Sequence, residues 1–349
     1  MRVLVAGGVD EHGRNCFFVD NTLCSFILDC GILAGSSTPY PHLSLKEIKQ
    51  AKYLFITHSH ADHTGAYHWL VENGFKGQAV LTQETHRQLG FNIKNSILID
   101  KISEPLECTY LNGLNVTWGC TGHCLGSIWF RIDVAGESIL YTGDYIEDTL
   151  MYQVNPIRQM SVNHAIIDTA YGDDLITPQE YRTLLQEKII SSLTVTNTIV
   201  FPVPKYGRNL ELLLLLSQHF PEVTINADEF LIKELQCLSE KSTWLNKKSL
   251  AQLEKIINMI RPIKKNAKGF IFLSDPQLKD KISREIVVCV LENKGEIFLT
   301  GGTDSGSFSK ELLTKKKAIL CRYAVHQNKQ SSMALTTKNN FKETIFFHH

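Results

Sequence analysis

The feature that most constrains this chain is a run of metal-ligating side chains at the end of an apolar segment. Residues 53–56 have the composition of a buried strand, and residues 58–63 follow it with the sequence His-Ser-His-Ala-Asp-His. A tight loop at a rigid strand end can direct His58 and His60 to one cation, and Asp62 and His63 to a second. Imidazole nitrogens combined with carboxylate oxygens suit Zn²⁺ or a similar first-row metal. The alternative is a surface loop that contains three histidines by chance, and this spacing argues against it.

Three further polar residues follow strand-like runs and can complete such a centre. His123 lies in a loop between two of these runs and can supply a third nitrogen to the first cation. Asp144 follows residues 138–141 in a Thr-Gly-Asp sequence, where its carboxylate can bridge two cations. Asp29 also ends an apolar run. Its position fits a residue that orients a ligand histidine, and it fits an ordinary turn residue equally well.

The apolar pattern predicts an α/β chain whose character changes near residue 175. Before this point, short apolar runs alternate with glycine-containing turns, which is typical of strands. After it, residues 178–193 and 209–219 have helical spacing, and residues 228–268 look mostly helical. Further apolar runs predict strands at residues 270–273, 286–290, 296–300, 318–324 and 344–347.

The formal charge of the chain is zero, but the charged residues are unevenly distributed. Residues 1–227 contain 15 Lys and Arg against 23 Asp and Glu, whereas residues 228–349 contain 21 against 13. The two parts therefore carry net charges of −8 and +8. Residues 241–268 alone hold eight basic side chains and one acidic one. Such a cluster fits binding to the phosphates of a polyanion, and it also fits a solvated helix face.

The cysteine pattern and the hydropathy of the chain favour a protein in a reducing, aqueous compartment. The nine cysteines show no C-x-x-C spacing, which favours free thiols over a disulfide framework. No apolar stretch approaches the roughly 18 residues that a membrane span requires, and residues 1–6 predict a strand and not a signal peptide. We therefore expect a cytoplasmic protein that makes no membrane contact.

In their order along the chain, Asp29, residues 58–63, His123 and Asp144 resemble the metallo-β-lactamase superfamily. Later segments resemble its β-CASP branch, which contains RNA-processing nucleases such as ribonuclease J and the cleavage-and-polyadenylation endonuclease. Three of these segments are a Thr-Ala-Tyr-Gly run directly after Asp168, a Tyr-Ala-Val-His run ending in His326, and an apolar run ending in His348.

Two more segments resemble the domain that is inserted in this branch. One is a Gly-Arg-x-x-Glu segment, which contains Arg208 and Glu211 and is preceded by Lys205. The other is a glycine-rich turn that ends in Ser307. We regard Arg208, Ser307 and Lys205 as candidates for substrate contact.

The resemblance implies an α/β fold, in which an αββα metallo-β-lactamase sandwich carries an inserted α/β β-CASP domain. We expect the first part of the sandwich in residues 1–174, the insertion in residues 175–305 and a return segment in residues 306–349. Two-fold association is common in the branch, so a homodimer is the oligomer to test. His349 stands where the branch usually has glycine, and we interpret it as a tail residue.

Carried over position by position, the resemblance implies two Zn²⁺ or Mn²⁺ ions that share a hydroxide, which attacks phosphorus in line. The expected ligands are His58, His60 and His123 for the first ion, Asp62, His63 and His348 for the second, and Asp144 as a bridge between them.

The candidate catalytic residues are Asp62, His326 and Asp168. His326 would protonate the leaving oxygen, and Asp168 would fix its tautomer. The alternative for His326 is a buried structural histidine. His12, in a polar loop, can border the site.

The implied activity is metal-dependent hydrolysis of phosphodiester bonds, with RNA favoured over DNA as the substrate. Two other classes remain open: a small-molecule hydrolase such as a lactonase or thioesterase on the same fold, and a non-catalytic nucleic-acid-binding subunit. The pattern does not separate an endonuclease from a 5′-exonuclease.

Overall fold

The computed structural model describes residues 1–348, apart from the side chains of residues 239, 241 and 242. The chain divides into two compact units. Unit 1 comprises Met1–Glu147, Val154–Leu175 and His326–His349, and unit 2 comprises Asp148–Gln153 and Ile176–Val325. Our interpretation of His349 lies outside the described residues, as does the side chain of Lys241 in the basic cluster.

Unit 1 contains two six-stranded sheets. The first sheet has, in spatial order, β1 (Arg2–Gly7), β2 (Cys16–Asp20), β3 (Phe26–Leu28), β4 (Tyr53–Phe55), β5 (Gln78–Leu81) and β6 (Ser96–Leu98). The second has β18 (Asn340–Phe347), β11 (Ser161–Asp168), β10 (Glu137–Tyr141), β9 (Ile128–Val134), β8 (Leu114–Cys120) and β7 (Cys108–Leu111). Aromatic rings of the two sheets pack against each other, with the ring centroids of Phe55 and Phe130 5.2 Å apart.

Helices cover the outer faces of both sheets. The covering helices are α1 (Leu45–Gln50) and α3 (Tyr67–Glu72) on the first sheet and α11 (Lys329–Thr337) on the second, while α2 (Ala61–Thr64) and α4 (Gln83–Gln88) follow β4 and β5. Ile48 of α1 and Leu70 of α3 belong to the core beneath the first sheet, and Leu335 of α11 packs with Trp129 and Leu140 of the second. Because a sheet must bury its apolar face against another layer, this arrangement forms an αββα sandwich, and the expected fold is confirmed.

Unit 2 is a second α/β unit with a parallel sheet. Its strands are, in spatial order, β14 (Arg261–Pro262), β13 (Ile225–Ala227), β15 (Gly269–Leu273), β12 (Thr198–Pro202), β16 (Glu296–Leu299) and β17 (Ile319–Leu320). Its α-helices are α5 (Pro178–Leu193), α6 (Arg208–His219), α7 (Glu229–Gln236), α8 (Lys247–Ile257), α9 (Lys281–Glu292) and α10 (Phe308–Thr314). The paired strands run parallel throughout this sheet.

The prediction of a strand at residues 286–290 was wrong, because these residues lie inside α9. The side chain of Asp280 accepts a hydrogen bond from the backbone N–H of Ser283 and so caps the helix. Ser283, Val287 and Val290 then form its buried face at helical spacing. A run of β-branched residues had suggested a strand, and tertiary packing overrode this local preference.

Residues 306–325, expected in the return segment, lie within unit 2. Leu312 of α10 packs in the same core as Val287 and Leu299. Of the expected strand at residues 318–324, only Ile319–Leu320 pairs, as β17.

All nine cysteines are free thiols. Among the described residues, no helix has the length and apolar composition needed to cross a membrane.

Candidate metal centre

The candidate residues lie at the carboxyl ends of strands in both sheets of unit 1. Asp29 follows β3 and His58 follows β4, and these strands are parallel. Asp144 follows β10, Asp168 ends β11 and His348 follows β18, and these three strands are also parallel. Because parallel strands end at the same edge of a sheet, side chains that are distant in sequence lie together.

Four donor atoms form a first ligand set. The Nδ1 atom of His60 lies 3.1 Å from Nε2 of His58 and 3.1 Å from Nε2 of His123. The Oδ2 atom of Asp144 lies 3.4 Å from Nε2 of His58 and 3.3 Å from Nε2 of His123. Ligand atoms about 2.0–2.1 Å from a tetrahedral zinc ion are roughly 3.3–3.4 Å apart. The four measured spacings, 3.1–3.4 Å, are therefore close to those of ligand atoms around one cation, and all four residues can supply ligand atoms within 4.8 Å of one another.

A second set lies beside the first. The Nε2 atom of His63 lies 3.0 Å from Oδ1 of Asp144 and 3.6 Å from Oδ2 of Asp62. The ring of His348 places Nε2 3.3 Å from Oδ2 of Asp62 and Nδ1 3.2 Å from Oδ1 of Asp144. The two oxygens of Asp144 thus face different ligand sets, as a bridging carboxylate does.

Buried polar atoms without partners show that these residues fit a divalent metal. Nε2 of His60 is buried and makes no hydrogen bond within the described chain, and Oδ1 of Asp144 and Nδ1 of His348 face each other at 3.2 Å without hydrogen-bond geometry. A buried polar group without a partner is costly, and a cation beside these atoms would satisfy it. The donor set of imidazoles and carboxylates therefore fits a divalent metal of the first transition row.

Asp29 is fully buried beneath the second set and contacts His63. Its Oδ2 atom lies 2.6 Å from Nδ1 of His63 and accepts hydrogen bonds from the hydroxyls of Thr57 and Tyr141, each at 2.7 Å. Its Oδ1 atom accepts the backbone N–H of Thr57 at 2.8 Å. A proton held on Nδ1 leaves the lone pair of Nε2 directed at the ligand set. Of the two alternatives for Asp29, the geometry is that of an orienting carboxylate.

Thr57 and Tyr141 also belong to the site, although the sequence pattern did not indicate them. Thr57 directly precedes the histidine run, and its hydroxyl also lies 3.1 Å from Nδ1 of His58. Tyr141 is the last residue of β10, three positions before Asp144. Adjacency to ligands was the only available signal, since neither side chain is itself a typical metal ligand.

His326 and Asp168 form a third group next to Asp144. The Nδ1 atom of His326 lies 2.8 Å from Oδ2 of Asp168, and its Nε2 atom lies 3.9 Å from Oδ2 of Asp144. Asp168 also accepts the backbone N–H groups of Tyr145 at 3.1 Å and Ala170 at 2.9 Å. These contacts fix the carboxylate, so that Nε2 of His326 is directed to the edge of the centre.

Electrostatics differ between the two ligand sets. Burial, together with the neighbouring His58, lowers the pKa of His60 to about 3. Burial also lowers the pKa of His123 well below its usual value, against the opposing charge of Asp144. Both imidazoles are therefore neutral at physiological pH, which is the form that binds a metal.

In the second set the carboxylates outweigh burial. Burial by itself lowers the pKa of His63 and His348, but Asp144 and the other nearby carboxylates raise both well above the usual value. Burial would raise the pKa of Asp144, yet His63 and His348 hold it well below its usual value. Protons on these imidazoles balance the carboxylate charge, and a bound cation would displace them.

A glycine allows the close approach of two loops at this centre. A Cβ atom on Gly31 would lie 1.6 Å from the backbone oxygen of Asp62. The backbone N–H of Cys30 donates to the carbonyl of His63 at 2.8 Å. The turn that carries Asp62 and His63 therefore packs directly on the backbone that follows β3.

The remaining candidates lie in different places. The ring of His12 meets that of His348 edge-on, with centroids 5.9 Å apart, so His12 borders the second set. The substrate-contact candidates belong to unit 2. Lys205 holds its ammonium over the ring of Phe230 at 5.1 Å, Arg208 begins α6, and Ser307 caps α10 by accepting the N–H of Lys310.

Glu211 has a structural role that the sequence did not suggest. It is buried in unit 2 and accepts the hydroxyl of Tyr323 at 2.6 Å. It also accepts the backbone N–H groups of Leu150 at 3.0 Å and Met151 at 2.8 Å. Burial and this carboxylate raise the pKa of Tyr323 well above its usual value. The network joins α6 to Asp148–Gln153 within the unit.

An αββα sandwich with two adjoining His and Asp ligand sets at the strand ends defines a protein of the metallo-β-lactamase fold. Residues 9–92 match the family described as the metallo-beta-lactamase superfamily. The chain is 26% identical to cleavage and polyadenylation specificity factor 73 of Drosophila melanogaster, over 91% of this chain and 53% of that protein. It is also 26% identical to an RNase J-like protein of Methanocaldococcus jannaschii, over 90% of this chain and 80% of that protein.

A third relative is endoribonuclease ysh1 of Emericella nidulans, 22% identical over 97% of this chain and 45% of that protein. The chain thus spans about half the length of two of these relatives. The match of residues 9–92 and the three relatives confirm the resemblance to the metallo-β-lactamase superfamily and its β-CASP branch.

Proposed function

We propose that the chain is a metal-dependent nuclease that hydrolyses phosphodiester bonds in RNA. The observation that carries this proposal is the position of Asp144, whose two oxygens face two separate ligand sets. Sites with two adjacent metals are typical of enzymes that transfer or hydrolyse phosphoryl groups. The names of two relatives, an RNase J-like protein and an endoribonuclease, support RNA as the substrate.

Zn²⁺ is the proposed metal, with Mn²⁺ as the alternative, because nitrogen donors dominate the first set. The proposed ligands are His58, His60 and His123 for one ion, Asp62, His63 and His348 for the other, and Asp144 between them. Two such cations, when bound, lower the pKa of a water molecule and neutralise charge on the phosphoryl group.

His326 is proposed to protonate the leaving oxygen. Its Nδ1 atom is held by Asp168 at 2.8 Å, so Nε2 is the atom that can deliver a proton. Asp62, the third candidate catalytic residue, positions the second set through its contact with His348. The proposed role of Asp168 is to fix the tautomer of His326 and not to contact the substrate.

Replacing His326 with Ala tests this assignment. Turnover should fall by about 10²–10⁴-fold, the usual contribution of a general acid, and the metal content should remain that of the wild type. His164 offers a matched control in the same unit, since it is partly buried on β11 and pairs with the exposed Glu343. Loss of metal from the His326 variant would contradict the proposed role.

The central experiment incubates metal-loaded protein with RNA and DNA of one sequence, each labelled at either end. Cleavage of RNA in preference to DNA supports the proposal, and the fragment lengths separate an endonuclease from a 5′-exonuclease. Hydrolysis of a chromogenic ester without RNA cleavage would instead favour a small-molecule hydrolase. Binding of RNA without cleavage of either nucleic acid would favour a non-catalytic subunit.

Three finer proposals accompany this function. Lys205, Arg208 and Ser307 contact the substrate, so Lys205→Ala should weaken RNA binding and lower its salt dependence. The free thiols support a reducing compartment, and we propose the cytoplasm, which localisation of a tagged chain would test. A homodimer is proposed as the assembly, and light scattering on the purified protein measures it.

A further inference from the structure

The connection between β14 and β15 is short for parallel strands. Both strands pair in parallel with β13, so residues 263–268 cross the sheet from the carboxyl end of one strand to the amino end of the other. Such a crossover normally takes a dozen or more residues and contains an α-helix. Here it has six residues and no helix. Its apolar contacts with the sheet come from Ile263 and Ala267.

A groove of 620 Å³ remains between this crossover and α9. One wall is a stripe of α9 formed by Ile282, Ile286, Cys289 and Asn293, which lie on one face at helical spacing. At 1.5 Å per residue the stripe is about 16 Å long, or three helical turns. Ile271 of β15 lies at the base. The groove therefore has the length and apolar base that a missing crossover helix would have filled.

The crossover gives the groove a positive rim. Lys264, Lys265 and Lys268 line it and are exposed. None of the three forms an ion pair with another described residue. Glu285 on α9 is the only acidic side chain of the lining, all of which is described, and it already lies 3.8 Å from Lys281. The rim therefore favours an occupant with negative charge on the flank that faces the crossover.

We propose that this groove binds an acidic amphipathic helix, about three turns long, that belongs to a partner protein. Its apolar side chains lie between α9 and the crossover, as in other helix-in-groove complexes, and its carboxylates meet Lys264, Lys265 and Lys268. An RNA occupant fits less well, because single-stranded RNA is held by aromatic stacking. The lining residues, all described, are aliphatic or polar and include no aromatic ring. The inference is independent of the proposed nuclease activity.

Fluorescence anisotropy with the full chain tests the proposal. The probe is a labelled alanine-based helix of about three turns, with Leu along one face and Glu along the adjacent flank. It should bind saturably, and the same peptide with Lys in place of Glu should bind at least about tenfold more weakly. Ile282→Glu should weaken binding about tenfold, as should the double variant Lys264→Glu/Lys265→Glu. Absence of saturable binding would overturn the proposal.

The chain offers matched controls at exposed positions. Val288→Glu places the same charge on α9, where Val288 is exposed and outside the groove lining. Lys247→Glu/Lys248→Glu makes the same double charge reversal on α8. Both should leave probe affinity within about twofold of the wild type. The proposal would be overturned if the groove and control variants lowered probe affinity equally. It would also be overturned if the Lys264/Lys265 variant lost more affinity for RNA than for the probe.

Alkylation of the wild-type protein gives a readout that needs no variant. Cys289 lies in the groove wall and is partly exposed, whereas Cys108 and Cys237 are exposed elsewhere. Bound probe should slow the reaction of Cys289 with iodoacetamide and leave Cys108 and Cys237 unaffected. Unchanged reactivity of Cys289 at a saturating probe concentration would place the peptide elsewhere and overturn the proposal.

Discussion

Replacing Asp29 with Asn tests whether one buried carboxylate controls the second ligand set. The carboxylate accepts four contacts at 2.6–2.8 Å, from the N–H and hydroxyl of Thr57, the hydroxyl of Tyr141 and Nδ1 of His63. An amide has a single oxygen. In either orientation of the amide at position 29, its NH₂ group faces a second donor, which is the backbone N–H of Thr57 or the Nδ1–H group of His63. Neither of these donors can rotate away, so one hydrogen bond is lost.

The expected magnitude follows from the contact that is lost. If the amide NH₂ faces His63, Nδ1 gives up its proton, Nε2 becomes protonated, and the ring no longer presents a lone pair to the ligand set. Removing such a partner of a ligand histidine typically lowers metal affinity by about 10–100-fold. This range corresponds to roughly 1.4–2.8 kcal/mol of binding free energy.

Competition of the protein with a chromophoric zinc chelator measures both sites in one titration. One of the two affinities should fall by the stated factor, and the other should change less, because the ligand that Asp29 contacts is His63 of the second set. Tyr141→Phe is the matched control, since it removes one donor and leaves the His63 contact in place. Wild-type affinity at both sites of the Asp29 variant would refute the reasoning, as would an equal effect of Tyr141→Phe.

Three further predictions concern the centre and the second unit. Gly31→Ala forces the backbone at Asp62 to move and should reduce the bound zinc measured by elemental analysis, whereas Gly90→Ala, with open space around its Cβ position, should not. Glu211→Gln weakens charge-assisted hydrogen bonds and should lower the free energy of unfolding in urea by about 1.5–3 kcal/mol; the exposed Glu222→Gln should leave it unchanged. Chelation should lower the melting temperature in calorimetry, because a metal at 100 times its dissociation constant stabilises the fold by about 2.7 kcal/mol. An unchanged melting temperature would contradict a metal bound by the folded state.

Local sequence carried much of the information about the centre. The His-x-His-x-Asp-His run lies within six residues, so a single loop places His58, His60, Asp62 and His63 whatever the rest of the chain does. The strands that precede Asp29 and Asp144 were recognisable from short apolar runs. The run of β-branched residues within α9 led to the wrong prediction of a strand. The capped helix instead buries Val287 and Val290, which are three positions apart.

The sequence by itself therefore determined the residue types of the candidate metal centre and their order along the chain, and through the resemblance that this order carries it predicted the αββα sandwich. Only the tertiary structure decided which side chains meet. The pairing of β18 with β11 brings His348 to Asp168, and the fold closes His326 onto that carboxylate across more than 150 residues. The groove beside α9 also depends on tertiary structure, since it exists because a six-residue crossover leaves part of a sheet without its helix. Contacts of this kind depend on the order of strands in the sheet and on the path by which the chain re-enters unit 1. No local pattern of residues encodes them.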